Sequence, residues 1–201
     1  RSNYMLDGNM SFYSHSLRLW ENLEQELNYN VMLSQRGLVV LGHSDGQVEA
    51  LARRGSMSIM AGDDGVLWSR EECRAKMPYL NYDDPRFPIY GALMHHRGGT
   101  ARHDAVVWGY ARAADQRGVD IIQNCDVTDF LIKDGVCTGV ETSKGKIRAD
   151  KIGVAVAGST SRVMAKAGLR LPIESHVLQA FVTEGLKPVI PGVITFGAGH
   201  F

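Results

Sequence analysis

The sequence predicts a mixed α/β protein, in which helices are interspersed with short strands. Three observations lead to this prediction. Apolar residues recur at helical spacing over 11–27, and two apolar runs meet at an Asp-Gly turn at 134–135. Residues 151–167 have the pattern of an apolar strand, a turn of small residues and a helix. With 201 residues, 44% of them hydrophobic, the chain is long enough to bury a core.

The first half of the chain contains three predicted helices, a pair of short strands and a series of turns. An amphipathic helix over 11–27 is followed by two short strands that meet at a turn within 31–42. We expect Asp45 to cap a helix that runs to Arg54. Ser69 and Glu72 have the spacing of a capping box, and Pro78 ends that helix. The prolines and glycines over 78–99 predict turns and pairing at sheet edges.

The second half begins with a helix over 104–117, which Gly118 terminates. The predicted strands are 119–123, 127–133, 136–142, 147–148, 152–156 and 175–183. The strand at 152–156 is apolar on both faces, so we expect it to be buried. It leads into Gly158 and a short helix that ends at Ala167.

Charge and composition exclude several classes of protein. Lys+Arg and Asp+Glu both number 22 and no basic run occurs, which argues against a nucleic-acid partner. No stretch has the roughly 18 apolar residues of a membrane span. Three dispersed cysteines, without a C-x-x-C pair, favour a reducing cytoplasm over a disulfide framework or a zinc site. The missing initiator Met and the GAGHF end favour a piece of a longer protein.

The order of these elements resembles the D-amino-acid-oxidase superfamily of FAD-dependent oxidoreductases. Longer strings are more specific, and they resemble the beta subunits of heterotetrameric sarcosine oxidases over essentially the whole chain. These strings are RSNY at 1–4, SQRG at 34–37, ARHD at 101–104, GVDIIQNCDVT at 118–128, GVETSKGKIRA at 139–149 and LRLPIESHVLQA at 169–180.

The resemblance implies a fragment of a two-domain flavoenzyme. Residues 1–29 and 100–167 would belong to the FAD-binding domain, and 30–99 and 168–201 to a sheet-based substrate domain. The implied enzyme oxidises sarcosine to glycine, with formaldehyde or methylene-tetrahydrofolate and hydrogen peroxide as the other products. Its cofactors would be noncovalent FAD and covalent FMN. Its partners would be the alpha, gamma and delta subunits, with tetrahydrofolate as a further ligand. The isolated fragment would be inactive.

The resemblance also implies that His103 carries the FMN, through a bond to the 8α-methyl carbon of the flavin. The start of a helix suits this role, because the positive end of the helix dipole disfavours the imidazolium form. We expect Asp104 to cap that helix and leave the imidazole free. Arg102 would place a cation beside the flavin and favour its anionic reduced form.

Four further positions are implied in the same way. Val127 would hold the adenine ring of FAD through its backbone N–H and C=O groups. Ala157 and Gly158 would lie beside the FAD, where larger side chains would crowd it. Arg1 would bind the substrate carboxylate through a two-pronged hydrogen bond.

The residue pattern alone leaves other interpretations open. His103 would then be an exposed residue at a helix start, Val127 a core residue, and the turn at 158–161 an ordinary strand-to-helix connection, since no G-x-G-x-x-G occurs. A metal site of His95, His96 and His103 has little support, because adjacent histidines on a strand point in different directions. The alternative functions are a different FAD-dependent amine oxidase or dehydrogenase, of glycine, proline or dimethylglycine, and a subunit-contact domain without a cofactor.

Overall fold

The computed structural model describes residues 6–196, which form two compact units. The first unit contains the chain up to Val119 and again from Gly185, and the second contains Asp120–Glu184. The helices are α1 (Asp7–Leu27), α2 (Asp45–Met60), α3 (Arg70–Lys76), α4 (His103–Asp115) and α5 (Thr160–Ala165). The strands are β1 (Leu38–Gly42), β2 (Val66–Ser69), β3 (Gly91–His95), β4 (Val127–Lys133), β5 (Val136–Thr142), β6 (Gly145–Arg148) and β7 (Val193–Phe196). The mixed α/β class is confirmed, whereas the domain boundaries inferred from the resemblance stay a prediction.

A four-stranded sheet organises the first unit, with the strand order β2-β3-β1-β7. β3 runs antiparallel to β1 and β2, and β1 runs parallel to β7. Every residue of β1 and β3 is buried. Val39 and Leu41 pack on one face with Trp68 and Met94, while Val40 and Leu93 pack on the other face. The core therefore lies on both faces of the two central strands.

The position of β3 corrects the expectation that residues 78–99 pair only at sheet edges. Prolines precede this strand but do not interrupt it, so its backbone can pair on both sides. Of the two strands predicted within 31–42, the first does not form. Only the isolated bridge between Ser34 and Thr100 forms there, and β1 begins after Gly37, whose φ is +92°.

Helix caps explain where α2 and α3 begin. The Ser69 side chain accepts a hydrogen bond from Glu72 N, and the Glu72 carboxylate accepts one from Ser69 N, which confirms the capping box. For α2 the expected cap is wrong. The Ser44 hydroxyl, rather than Asp45, accepts a hydrogen bond from the N–H of Gln47, because Ser44 is the last residue with extended backbone.

The second unit contains an antiparallel sheet of three strands, in the order β4-β5-β6. Asp134 and Gly135 connect the first two strands with φ values of +52° and +78°. Two successive positive φ values characterise the primed turns of tight hairpins. The predicted hairpin is thus confirmed.

Three predicted strands do not form: 119–123, 152–156 and 175–183. They are apolar enough for a buried strand, but no strand among residues 6–196 pairs with them. Val177 and Phe181 are 94% and 86% exposed. An apolar run becomes a buried strand only where a neighbouring strand accepts its backbone hydrogen bonds. No helix within residues 6–196 is long and apolar enough to cross a membrane.

Candidate functional site

The segment between β3 and α4 leads to His103 and is held at three points. The first is Arg97, whose Nε and Nη2 donate to the two carboxylate oxygens of Glu21 on α1, at 2.9 and 2.7 Å. The second is the Gly98 carbonyl, which accepts a hydrogen bond from Gly37 N at 2.8 Å. The third is Thr100, whose N–H and C=O both pair with Ser34, at 3.0 and 2.8 Å. The segment just before α4 is therefore held both by α1 and by the loop that contains Ser34 and Gly37.

A buried carboxylate extends the first of these anchors. The side chain of Asp63 is 2% exposed and lies 3.4 Å from Nη1 of Arg97. Its other oxygen accepts a hydrogen bond from the Ser14 hydroxyl of α1 at 3.0 Å. The hydrogen bond that the Arg97 guanidinium donates to Glu21 holds the pKa of the Glu21 carboxyl below its usual range. The same hydrogen bond raises the pKa of Arg97, so both partners stay charged near neutral pH.

His103 is the first residue of α4 and its side chain is exposed. Among residues 6–196 no hydrogen bond to its imidazole is found. Arg102 precedes the helix without a capping side chain, and its Nε donates to Asp104 Oδ1 at 2.9 Å. The same oxygen accepts the N–H of Ala105 at 2.9 Å.

The expectation that Asp104 is the helix cap is thus wrong. Asp104 is the second helical residue, so its carboxylate can reach only the N–H of the next residue and the side chain of Arg102. The hydrogen bond from Arg102 holds the pKa of the Asp104 carboxyl below its usual range. The imidazole of His103 is nevertheless left without a competing hydrogen bond from Asp104 in this part of the chain, as the prediction requires.

α4 rests on α1 through small residues. Ala105, Gly109 and Ala113 are buried along one face of α4. A Cβ at Gly109 would lie 3.1 Å from the ring of Tyr29 and 3.2 Å from Cδ1 of Leu27. The close approach fixes the direction of α4, and hence the place at which His103 emerges.

The predicted contacts of FAD lie in the second unit. Val127 begins β4 and is 44% exposed. Ala157 and Gly158 are exposed residues of a short 3-10 helix before α5, and Ala157 has a φ of +43°. The Gly158 carbonyl accepts a hydrogen bond from the Ser175 hydroxyl at 2.8 Å. No hydrogen bond of the described residues links Val127 to the 3-10 helix, and Arg1 lies outside these residues.

Both histidines of the pair near β3 contact Asp64. His95 is 2% exposed, and its Nδ1 donates to the Asp64 carbonyl at 2.7 Å. Burial lowers the pKa of its imidazole. The carboxylate of Asp64 instead accepts the backbone N–H of His96. Residues 6–196 contain no group of three side chains arranged to hold a metal ion.

Two features of this region were missed by sequence reasoning. The contact between Glu21 and Arg97 joins residues 76 positions apart, and no local pattern marks it. Arg36 lines an open cleft next to Thr100, but the SQRG string containing it served only as a mark of resemblance. The signal available was an arginine beside a glycine, in a segment with no acidic neighbour.

Comparisons with known proteins agree with this fold. A sequence model of the family described as FAD dependent oxidoreductase matches residues 2–200. Sarcosine oxidase subunit beta of Rhizobium meliloti is 59% identical over 201 residues, which are 100% of this chain and 48% of that protein. The protein of the same name from Arthrobacter sp is 45% identical over 196 residues, with 96% of this chain and 48% of that one covered. This chain therefore spans about half the length of these relatives.

A solved structure shares the fold at low sequence identity. The crystal structure of L-proline dehydrogenase from P. horikoshii matches with a TM-score of 0.74 and 22% identity. The match covers 84% of this chain and 44% of that one. At this identity the likeness shows the fold alone.

Proposed function

The chain belongs to the family of FAD-dependent oxidoreductases, and from this membership we propose that it is part of a flavoenzyme subunit that oxidises sarcosine to glycine. The observation that carries the proposal is the identity of 59%, over the whole chain, to a protein named sarcosine oxidase subunit beta. Formaldehyde or methylene-tetrahydrofolate, together with hydrogen peroxide, would be the other products. These activities belong to the longer protein, since the chain spans about half of such relatives.

Residues of the second unit fit a bound nucleotide cofactor. β4 is an edge strand of its sheet in the described part of the chain, so its outer edge offers unpaired backbone groups beside Val127. Ala157 and Gly158 expose little more than backbone, which allows close approach of a ligand. We propose these three residues as contacts of FAD. When bound, FAD supplies the two-electron acceptor for oxidation of the amine.

His103 fits the covalent attachment of FMN. Its ring is exposed, and no hydrogen bond within residues 6–196 occupies a nitrogen that a covalent bond requires. Arg102 stays next to it because Asp104 holds the guanidinium in place. We propose that Arg102 places its positive charge near the flavin. Arg1 remains a proposed contact of the substrate carboxylate.

The name subunit beta, which the relatives carry, supports a multi-subunit enzyme. We propose that the full-length protein assembles with alpha, gamma and delta subunits. A reducing compartment such as the cytoplasm is proposed because Cys73, Cys125 and Cys137 are free thiols in the structure.

Peptide mapping of the full-length holoenzyme tests the attachment. Trypsin cuts after Arg97, Arg102 and Arg112, so a short peptide that contains His103 should carry the mass of FMN. His103→Ala should abolish covalent flavin, while His176→Ala, at another exposed histidine, should retain it. An unmodified peptide across 98–112 would overturn the attachment.

Substrate comparison tests the proposed reaction. The full-length complex should form peroxide faster with sarcosine than with glycine, proline or dimethylglycine. A preference for one of the other three would assign the protein to a different oxidase of the family. Flavin-free full-length protein that still binds its partner subunits would favour the subunit-contact interpretation. The 201-residue chain alone should form no peroxide with added FAD and FMN, because it contains no G-x-G-x-x-G unit to hold the pyrophosphate.

A further inference from the structure

Three loops of the first unit enclose an open cleft of about 250 Å³. The loops contain Arg36, Gly99 and Gly192, and backbone hydrogen bonds connect them. Val193 N donates to the Gly37 carbonyl at 3.0 Å, which ties the third loop to the first. The cleft walls are therefore positioned by the sheet rather than by flexible side chains.

The residues that line the cleft include one cation, two with hydroxyl side chains and several glycines. Arg36 is the charged side chain at its surface, and no carboxylate lines it. Within residues 6–196 the Arg36 guanidinium forms no ion pair. The hydroxyls of Ser34 and Thr100, and the backbone N–H groups of Gly99 and Gly192, also make no hydrogen bond to another described residue. Such a set of donors is suited to a group with several anionic oxygens.

Surface exposure alone does not explain why Arg36 has no acidic partner. Arg53 on α2 is also at the surface, but it pairs with Glu49 at 3.8 Å. Arg36 has no acidic neighbour among the residues that line the cleft, and Ser34 and Thr100 line the same cleft. Its charge is thus available to a ligand.

We propose that this cleft binds a phosphate monoester through Arg36, Ser34 and Thr100. One source is the phosphate of the flavin mononucleotide at His103, and this assignment rests on the proposed function. Thr100 precedes His103 by three residues, so their Cα atoms lie within about 11 Å of each other. The second source is a separate phosphate compound that is not linked to the flavin.

The experiment uses the full-length protein with His103→Ala, from which noncovalent flavin has been removed by dialysis. FMN and riboflavin are titrated by quenching of flavin fluorescence, and inorganic phosphate by competition and by calorimetry. Arg36→Gln is added to this background, with Arg36→Lys as the variant that keeps the charge and Arg53→Gln as the matched control. Thermal denaturation verifies that each variant is folded.

If the flavin supplies the phosphate, Arg36→Gln weakens FMN binding by roughly tenfold or more and leaves riboflavin binding unchanged. Arg36→Lys retains part of the FMN affinity, and Arg53→Gln retains all of it. Arg36-dependent binding of inorganic phosphate, without discrimination between FMN and riboflavin, assigns the cleft to a separate phosphate compound. Equal binding of all three probes to the Arg36→Gln and unsubstituted proteins overturns the proposal. Covalent flavin that persists in His103→Ala refutes the attachment of FMN to His103 instead. The inorganic phosphate titration of Arg36→Gln then decides whether the cleft binds phosphate.

Discussion

The anchor of the segment before α4 leads to a quantitative prediction for Arg97→Ala. This substitution removes a two-pronged ion pair with Glu21 and the cation next to Asp63. The side chains of Arg97 and Glu21 are 35% and 27% exposed, whereas that of Asp63 is 2% exposed. Hydrogen bonds to charged groups contribute ~1.5–3 kcal/mol when they are shielded from water. Partial exposure reduces the contribution, and we expect a loss of about 2 kcal/mol.

Arg53→Ala is the matched control for this prediction. Its pair with Glu49 lies on one helix, and the two side chains are 65% and 72% exposed. Exposed pairs at this spacing contribute only ~0.3–0.5 kcal/mol. Hydrogen–deuterium exchange of the full-length protein should therefore separate the two variants. In Arg97→Ala the peptides covering 8–27 and 93–103 should exchange about 30-fold faster, and in Arg53→Ala they should be nearly unchanged.

The pH dependence provides a second readout of the same anchor. The pKa of Glu21 is lowered in the folded protein, so its contribution is present above its unfolded pKa and is lost as pH falls through the folded pKa. In Arg97→Ala this acid-side loss of protection should be smaller. An equal, small effect of Arg97→Ala and Arg53→Ala on exchange at neutral pH would refute the reasoning.

Three further predictions concern the core, a buried histidine and the cleft. Leu93→Ala, at a side chain with 0% exposure, should lower the free energy of unfolding by ~2–5 kcal/mol in urea denaturation, while Leu19→Ala, at 53% exposure, should change it by less than ~0.5 kcal/mol. Burial lowers the pKa of His95, so stability should fall as pH drops below its unfolded value of about 6.5, and His95→Gln should remove this part of the pH profile. Gly99→Ala would place a Cβ against the carbonyl oxygen of Ser34, so it should lower both the melting temperature and phosphate binding, whereas Gly46→Ala, with nothing within 4 Å, should lower neither.

Local signals predicted the elements around the site well. The periodicity of 104–117 predicted α4 to within two residues at each end, and the Asp-Gly turn at 134–135 predicted the β4–β5 hairpin. Both signals depend on residues close in sequence. The predicted strands at 152–156 and 175–183 failed because apolar composition reports a tendency to be buried, and the partner that would bury them is set by the rest of the fold.

By itself the sequence determined the α/β class, the hairpin, the capping box and the place of His103 at a helix start, because each depends on contacts within a few residues. It also carried the strings that identify the family. Only the tertiary structure decided that β3 is a central strand, that Arg97 binds Glu21, and that Arg36 faces a cleft built by three distant loops. These contacts join residues far apart in the chain, and their free energy depends on burial and on partners that no local pattern encodes.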